Sequence, residues 1–296
     1  MRNWCMDYLA PTSVEEAVGA LAAQPDARVF AGATDLIPQI RAGRPEPGLL
    51  IDLKRIERCT TVTKTDSGWV VGAATPTSRL TEDPDFSSTL PGLSEAAGLI
   101  GSDQIQNRSS LGGNLCNASP AADSVPAMLV NEVRAVVAGG NGTRTVPVGD
   151  ITTGPGKTSL GDDEFIVEFE IDEPPANTGD AYLRMIPRTE MDIAVVGAGA
   201  QITLDADGNC ATARVALGAV APTALRVADA EAALVGNPIN DDTLAAVAEA
   251  ASAACNPIDD KRGTIAYRKQ VAGVLAKRAV KLAAERAAGT TTGGTH

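Results

Sequence analysis

The 296-residue sequence predicts an α+β fold divided into two or three compact units. Three observations carry that reading. Two pairs of strand-like segments flank short Gly/Asn/Asp turns, so antiparallel hairpins outnumber βαβ crossovers. Helical periodicity is restricted to separate segments, the longest near the C-terminal end. A Pro-rich run, DEPPANTGD at 172–180, interrupts the pattern as a linker.

The elements follow in order. VEEAVGALAA (14–23) has helical spacing, with Thr12 or Ser13 as cap and Glu15 and Glu16 in the first turn. ARVFAG (27–32) is a short strand ending at Gly32. TDLIPQIRAG then turns into a helix, capped by Thr34 or Asp35 and stopped near Gly43. GLLIDLKRI (48–56) is the next strand, which completes a small βαβ-like unit. GWVVGAAT (68–75) is a strand, SEAAGLIGS (94–102) a helix, SSLGGN (109–114) a glycine turn and SVPAMLV (124–130) a helix. VRAVVA and TRTVPV flank GGNG (139–142) as a hairpin, and EFIVEFEI (164–171) alternates as a strand. Beyond the linker, IAVVGAGAQITL and ATARVALGAV flank DADGN as a second hairpin. Residues 243–254 and 264–287 are helical, the latter presenting Tyr267, Val271, Val274, Leu275 and Leu282 on one face. The units are therefore expected at 1–57, 58–177 and 178–288, with 289–296 a disordered tail.

Composition narrows the function. The net charge is −12 and the pI about 4.6, which argues against a nucleic-acid partner or an anionic membrane surface. A bound phosphate must then be held mainly by backbone N–H groups. The N-terminus lacks a signal-peptide pattern, and no run of 18 apolar residues suggests a membrane span. The five cysteines (Cys5, Cys59, Cys116, Cys210 and Cys255) are widely spaced, which favours reduced thiols in a cytoplasmic protein and shows no zinc or iron–sulfur spacing. The single histidine is His296, so a Ser-His-Asp triad or a His-rich metal site is excluded.

Two runs imitate nucleotide motifs and fail. TTGPGKTS (152–159) would be a phosphate loop only with glycine at 151, which is Ile151; it is expected to be an exposed loop. VVGAGAQI (195–202) lacks a third small residue at Ile202 and runs on as a strand, where a dinucleotide fingerprint requires a helix. Two other glycine turns fit phosphate better. FAGATDL (30–36) runs strand, turn, helix start, and Gly32 with Ala33 leaves room for a ligand at the backbone. In SSLGGN, two adjacent glycines can aim consecutive N–H groups as an anion nest, with Ser109, Ser110 and Asn114 as short donors. Asp123 can accept from sugar or ribityl hydroxyls. Two such turns in an acidic protein without a catalytic histidine point to a dinucleotide cofactor.

FAGATDLIPQIRAG, IGSDQIQNRSSLGGNLCNASPAADSVPAM and AYLRMIPRTEMDIAVV resemble the signature regions of the FAD-binding medium subunit of molybdenum hydroxylases, the xanthine dehydrogenase and aerobic CO dehydrogenase family. The resemblance spans roughly residues 3–286. It implies a two-lobed FAD-binding domain, a small α/β lobe and a larger α+β lobe, followed by a C-terminal domain with a three-stranded antiparallel sheet and helices. FAD would lie between the lobes. Val29, Phe30, Ala31, Gly32, Ala33, Thr34, Asp35 and Leu36 would wrap the pyrophosphate from one side, and Ser110, Leu111, Gly112, Gly113 and Asn114 from the other. Asn117 and Asp123 would bind the sugar or ribityl region, Ile100 and Ile166 would border the flavin, and Arg184 stands where relatives carry Lys. Ala33 replaces the second glycine of an Ala-Gly-Gly motif, where φ > 0 is disfavoured.

The resemblance further implies an electron-transfer flavoprotein with no catalytic or metal-ligating residues of its own. It would work in a cytoplasmic complex with a large molybdopterin-binding subunit and a small 2Fe–2S subunit, as a dimer of heterotrimers. Electrons would pass from the partner's iron–sulfur clusters through FAD to an external acceptor. The alternative is a self-sufficient flavin oxidoreductase acting directly on a small molecule, with Glu190 or Asp192 as its acid or base.

Overall fold

The computed structural model describes residues 6–290. Cys5, His296 and most of the expected tail lie outside the described residues. The small lobe runs β1 (Asp7–Leu9), α1 (Val14–Ala23), β2 (Arg28–Phe30), α2 (Leu36–Arg41) and β3 (Leu49–Asp52). Its three strands pair parallel in the order β1-β3-β2. Helix α1 starts where sequence places it: the Ser13 hydroxyl accepts the Glu16 N–H, and Glu16 reaches back to the Thr12 N–H.

The larger lobe contains β4 (Val62–Thr65), β5 (Gly68–Gly72), α3 (Thr77–Glu82), α4 (Pro84–Thr89), α5 (Pro91–Gly98), α6 (Asp103–Gln106), α7 (Leu111–Cys116) and α8 (Ser124–Val130). It continues with β6 (Arg134–Gly139), β7 (Gly142–Pro147), β8 (Thr152–Gly154), β9 (Lys157–Thr158) and β10 (Phe165–Asp172). The order β4-β5-β10-β6-β7 is antiparallel throughout and puts β10 at the centre. Its core is built around Trp69, Phe86, Leu93, Leu115, Met128 and Phe169. The small lobe's core is not self-contained. Val14, Leu21 and Ile51 pack in one cluster with Ala74, Ala138, Phe165 and Val167 of the larger lobe.

The C-terminal domain contains β11 (Thr178–Met185), β12 (Val196–Leu204), β13 (Cys210–Gly218), β14 (Leu225–Arg226), α9 (Ala228–Leu234), α10 (Asp241–Ala254) and α11 (Ile265–Ala287). The expected three-stranded sheet is present, with the two-residue β14 added at its edge. Asp180, buried in β11, ties this domain to the larger lobe. Its carboxylate accepts the N–H groups of Gly92 and Leu93 at 2.9 and 3.1 Å and the Asn131 amide at 2.9 Å. It thereby caps α5, whose own N-cap, Leu90, has no side chain able to do so.

Five expectations need correction. The glycine turn at 109–114 is the start of helix α7: Ser110 caps it, and packing of Gly112 against Ala73 overrides glycine's poor propensity. The helix expected at 94–102 begins earlier, at Pro91, whose ring suits a first helical turn. The strand expected over 48–56 stops at Asp52, because Asp52 caps a 3₁₀ turn at Leu53–Arg55. On α11, Leu275, Val271 and Leu282 pack inward as expected beside the small Ala272, Ala276, Ala279 and Ala283, while Tyr267 and Val274 are exposed. TTGPGKTS, expected as a loop, is the β8–β9 hairpin.

Candidate functional site

A cleft of about 540 Å³ opens between the small lobe and the α7 region, within the usual size of a cofactor site. Strand β2 delivers one wall. Where it ends, residues Ala31 to Asp35 turn into α2, and Ala33 adopts φ +58°, the left-handed region that an alanine enters at a cost. The N–H groups of Gly32, Ala33, Thr34 and Asp35 have no partner among the described residues. Four consecutive free amides in a turn form a concavity suited to an anion. The facing wall is α7, capped by the Ser110 hydroxyl, which accepts the Gly113 N–H at 3.1 Å.

The two walls touch through backbone. A Cβ on Gly32 would stand 1.8 Å from the Arg108 carbonyl oxygen, so glycine at 32 is dictated by the neighbouring loop rather than by space for a ligand. The paired glycines of α7 divide their duties. Gly112 faces inward, its N–H donating to the Ala73 carbonyl at 3.1 Å, and a Cβ there would lie 2.5 Å from that oxygen. Gly113 faces the cleft, where a Cβ would meet only the Ser110 hydroxyl, at 3.3 Å. The expected glycine nest at 112–113 is therefore corrected: both amides are paired within the chain, and those of Ser110 and Leu111 are the ones without partners among the described residues.

Of the residues singled out from sequence, Val29 to Leu36, Ile100, Ser110, Gly112, Gly113, Asn114, Asn117 and Ile166 all line this cleft. Three do not. Leu111 is core, turned inward by the helix. Asp123 and Arg184 are buried against each other, with Arg184 Nη1 donating to the Asp123 carboxylate at 2.9 Å and the Tyr182 hydroxyl donating to it at 2.9 Å. These two donors occupy two of the four acceptor positions of the carboxylate. Burial pushes its pKa up, opposed by Arg184 and Tyr182. Asn117 lines the cleft, but its side-chain oxygen accepts from Gln39 at 2.9 Å, a bridge from α2 to the end of α7.

Charge within the cleft is mixed. Arg28 and Arg44 are its cations; Asp26, Asp35, Glu46, Asp162 and Glu164 are its carboxylates. Glu164 is held by Arg144 through two hydrogen bonds of 2.8 Å. Those bonds bring its pKa down to about 2, against some burial. The cationic side chains are outnumbered, which leaves amides as the main anion-binding groups, as composition required. The residues present thus fit a dinucleotide: free amides for its diphosphate, apolar Ile100, Phe165 and Ile166 for a planar ring system, and a cleft floor open beside Gly113.

Sequence reasoning missed Gln39, Arg44, Ala73 and the segment Thr158 to Asp162 as lining residues. The signal for the last was available: the run dismissed as a failed phosphate loop forms the hairpin that leads into it. Asp192, weighed as an acid or base, is paired with Arg188 at 3.1 Å and lies 3.6 Å from Arg262; the Ile193 N–H first, then Arg188 and Arg262, hold its pKa down. Among the described residues, no group of His, Cys, Asp or Glu could hold a metal ion, and no helix is long and apolar enough to cross a membrane.

Comparison with known proteins accounts for nearly the whole chain. Residues 4–174 match the family described as FAD binding domain in molybdopterin dehydrogenase, and residues 181–283 match the CO dehydrogenase flavoprotein C-terminal domain. The carbon monoxide dehydrogenase medium chain of Hydrogenophaga pseudoflava is 35% identical over 284 residues, covering 95% of this chain and 98% of the relative. The xanthine dehydrogenase FAD-binding subunit of Escherichia coli O157:H7 is 31% identical, covering 95% and 97%. A solved structure of carbon monoxide dehydrogenase from Hydrogenophaga pseudoflava superposes with a TM-score of 0.92 at 36% identity, covering 97% of this chain and 99% of that one. Quinoline 2-oxidoreductase from Pseudomonas putida 86 gives 0.90 at 30% identity, covering 97% and 99%.

Proposed function

This chain belongs to the FAD-binding medium subunits of molybdenum hydroxylases, the family of the xanthine and CO dehydrogenases, and we propose that it serves as the electron relay of such an assembly. It is an oxidoreductase subunit whose cofactor is FAD. In this reading it receives electrons from iron–sulfur clusters of a small partner subunit, which are filled by substrate oxidation on a large molybdopterin-binding subunit. It then hands them to an external acceptor. The complex is a dimer of heterotrimers in the cytoplasm.

FAD supplies the redox chemistry when bound; the protein supplies position, electrostatics and exclusion of water. The amides of Gly32 to Asp35 would hold the diphosphate from one side and Ser110 and Asn114 from the other, with Gly113 leaving room between them. Arg28 and Arg44 add positive charge at the rim. Ile100 and Ile166 give the ring system an apolar bed that keeps water from it.

The observation that carries this reading is the row of four unpartnered amides at 32–35, facing α7 across a cleft of cofactor size. Expression with its native neighbours tests the proposal. The expected result is a yellow protein that co-purifies with a large and a small subunit, and that reduces an acceptor only when all three are present. A colourless, stably monomeric chain, or substrate turnover by this chain alone, would overturn it.

A further inference from the structure

Behind the amide row lies a network centred on Lys54, which does not line the cleft. Lys54 Nζ donates to the Ala31 carbonyl at 2.8 Å and to Asp52 Oδ1 at 2.6 Å. The same ammonium stands 4.4 Å from the centroid of the Phe30 ring, a cation–π distance. Asp52 is buried; it accepts the Tyr8 hydroxyl at 2.7 Å and the Lys54 N–H at 3.0 Å as well. Lys54 is absent from the cleft lining, although its neighbour Leu53 and its contacts Phe30 and Ala31 belong to it. The 3₁₀ turn that stops β3 at Asp52 is what folds Lys54 back beneath the loop.

We propose that Lys54 is a positioning residue for the diphosphate loop: by holding the Ala31 carbonyl from behind, it turns the Gly32 N–H into the cleft. The inference rests on the reading of this cleft as the FAD site. The argument is one of peptide geometry. The Ala31–Gly32 bond is trans, like every peptide among the described residues, and a trans peptide points its C=O and N–H in opposite directions. A carbonyl fixed on Lys54 therefore aims the following amide away from Lys54, where no protein group meets it. If the peptide flipped, the carbonyl dipole would face the phosphates and the Lys54 ammonium would lose an acceptor. Asp52, Tyr8 and the Phe30 ring keep the ammonium in place. The lysine charge thus serves an anion site without entering it, and the bound diphosphate sees an oriented amide.

The test compares Lys54→Met with Lys54→Arg in the full chain freed of flavin. Affinity for FAD and for ADP, which carries the diphosphate without flavin, is read by titration, and the two ³¹P resonances of bound FAD by NMR. The expected result for Lys54→Met is about a tenfold loss or more toward both ligands, on the scale of one charge-assisted hydrogen bond, with a shifted ³¹P resonance. Lys54→Arg restores both affinities to within about threefold. Unchanged affinity in folded Lys54→Met, or a loss toward FAD and not ADP, overturns the proposal. If Lys54→Met does not fold, hydrogen exchange at the wild-type Gly32 amide decides: fast exchange that FAD slows supports it, and slow exchange before FAD is added overturns it. A wild-type chain that takes up neither ligand sinks the FAD site itself, which is a separate outcome.

Discussion

The Arg108 carbonyl oxygen occupies the space where Gly32 would carry a side chain. Two loops 76 positions apart in sequence are therefore joined by main-chain packing at the mouth of the cleft. Gly32→Ala must push them apart, since neither partner is a flexible side-chain end. The expected cost is about 2–4 kcal/mol of stability, with loss of FAD. Urea unfolding and flavin content after desalting check both.

Gly113→Val separates binding from folding. Its new side chain would enter the cleft and meet only the Ser110 hydroxyl nearby. The apo chain should melt within a few degrees of wild type while FAD is not retained. Normal flavin content would remove Gly113 from the site.

Ala33 is the converse case. Its φ of +58° costs an alanine on the order of 1 kcal/mol, which glycine does not incur. Part of that gain is offset by the greater entropy of unfolded glycine. Ala33→Gly should therefore leave stability unchanged or raise it by up to about 1 kcal/mol, with FAD affinity kept. A drop in the urea midpoint would contradict the strain.

Glu164 gives a pH signature. Its folded-state pKa lies at about 2, below the unfolded value, because of Arg144. The stabilisation is therefore complete above the usual carboxylate range and lost as pH falls through about 2. Arg144 is partly exposed, so screening limits the pair to about 1 kcal/mol. Relative to Glu164→Gln, wild type should hold that advantage at neutral pH and forfeit it in acid, as read by chemical denaturation across the range.

Much of this was legible from residue order. The helices at 14–23 and 124–130, both hairpins and the long C-terminal helix follow local rules of capping, turn chemistry and periodicity, and the structure has them at or within a few residues of those positions. Residues 30–36 were legible as strand, glycine turn and helix start, and the structure has β2 and α2 on either side of that turn. What was hidden depends on contacts distant in sequence. α7 is helical because Gly112 packs on Ala73, and Gly32 is required because of Arg108. The pairing of Asp123 with Tyr182 and Arg184, some sixty positions away, is equally invisible in residue order.

Phe165 and Val167 belong to the central strand of the larger sheet, yet they are packed among Val14, Leu21 and Ile51 of the small lobe. The groove that Phe165 helps to line is consequently carved into a single wedged block, its two lobes sharing one core. Loading and escape must then be governed by the rim, the stretches 44–47 and 158–162, so shortening either rim should hasten flavin departure without loosening the block beneath.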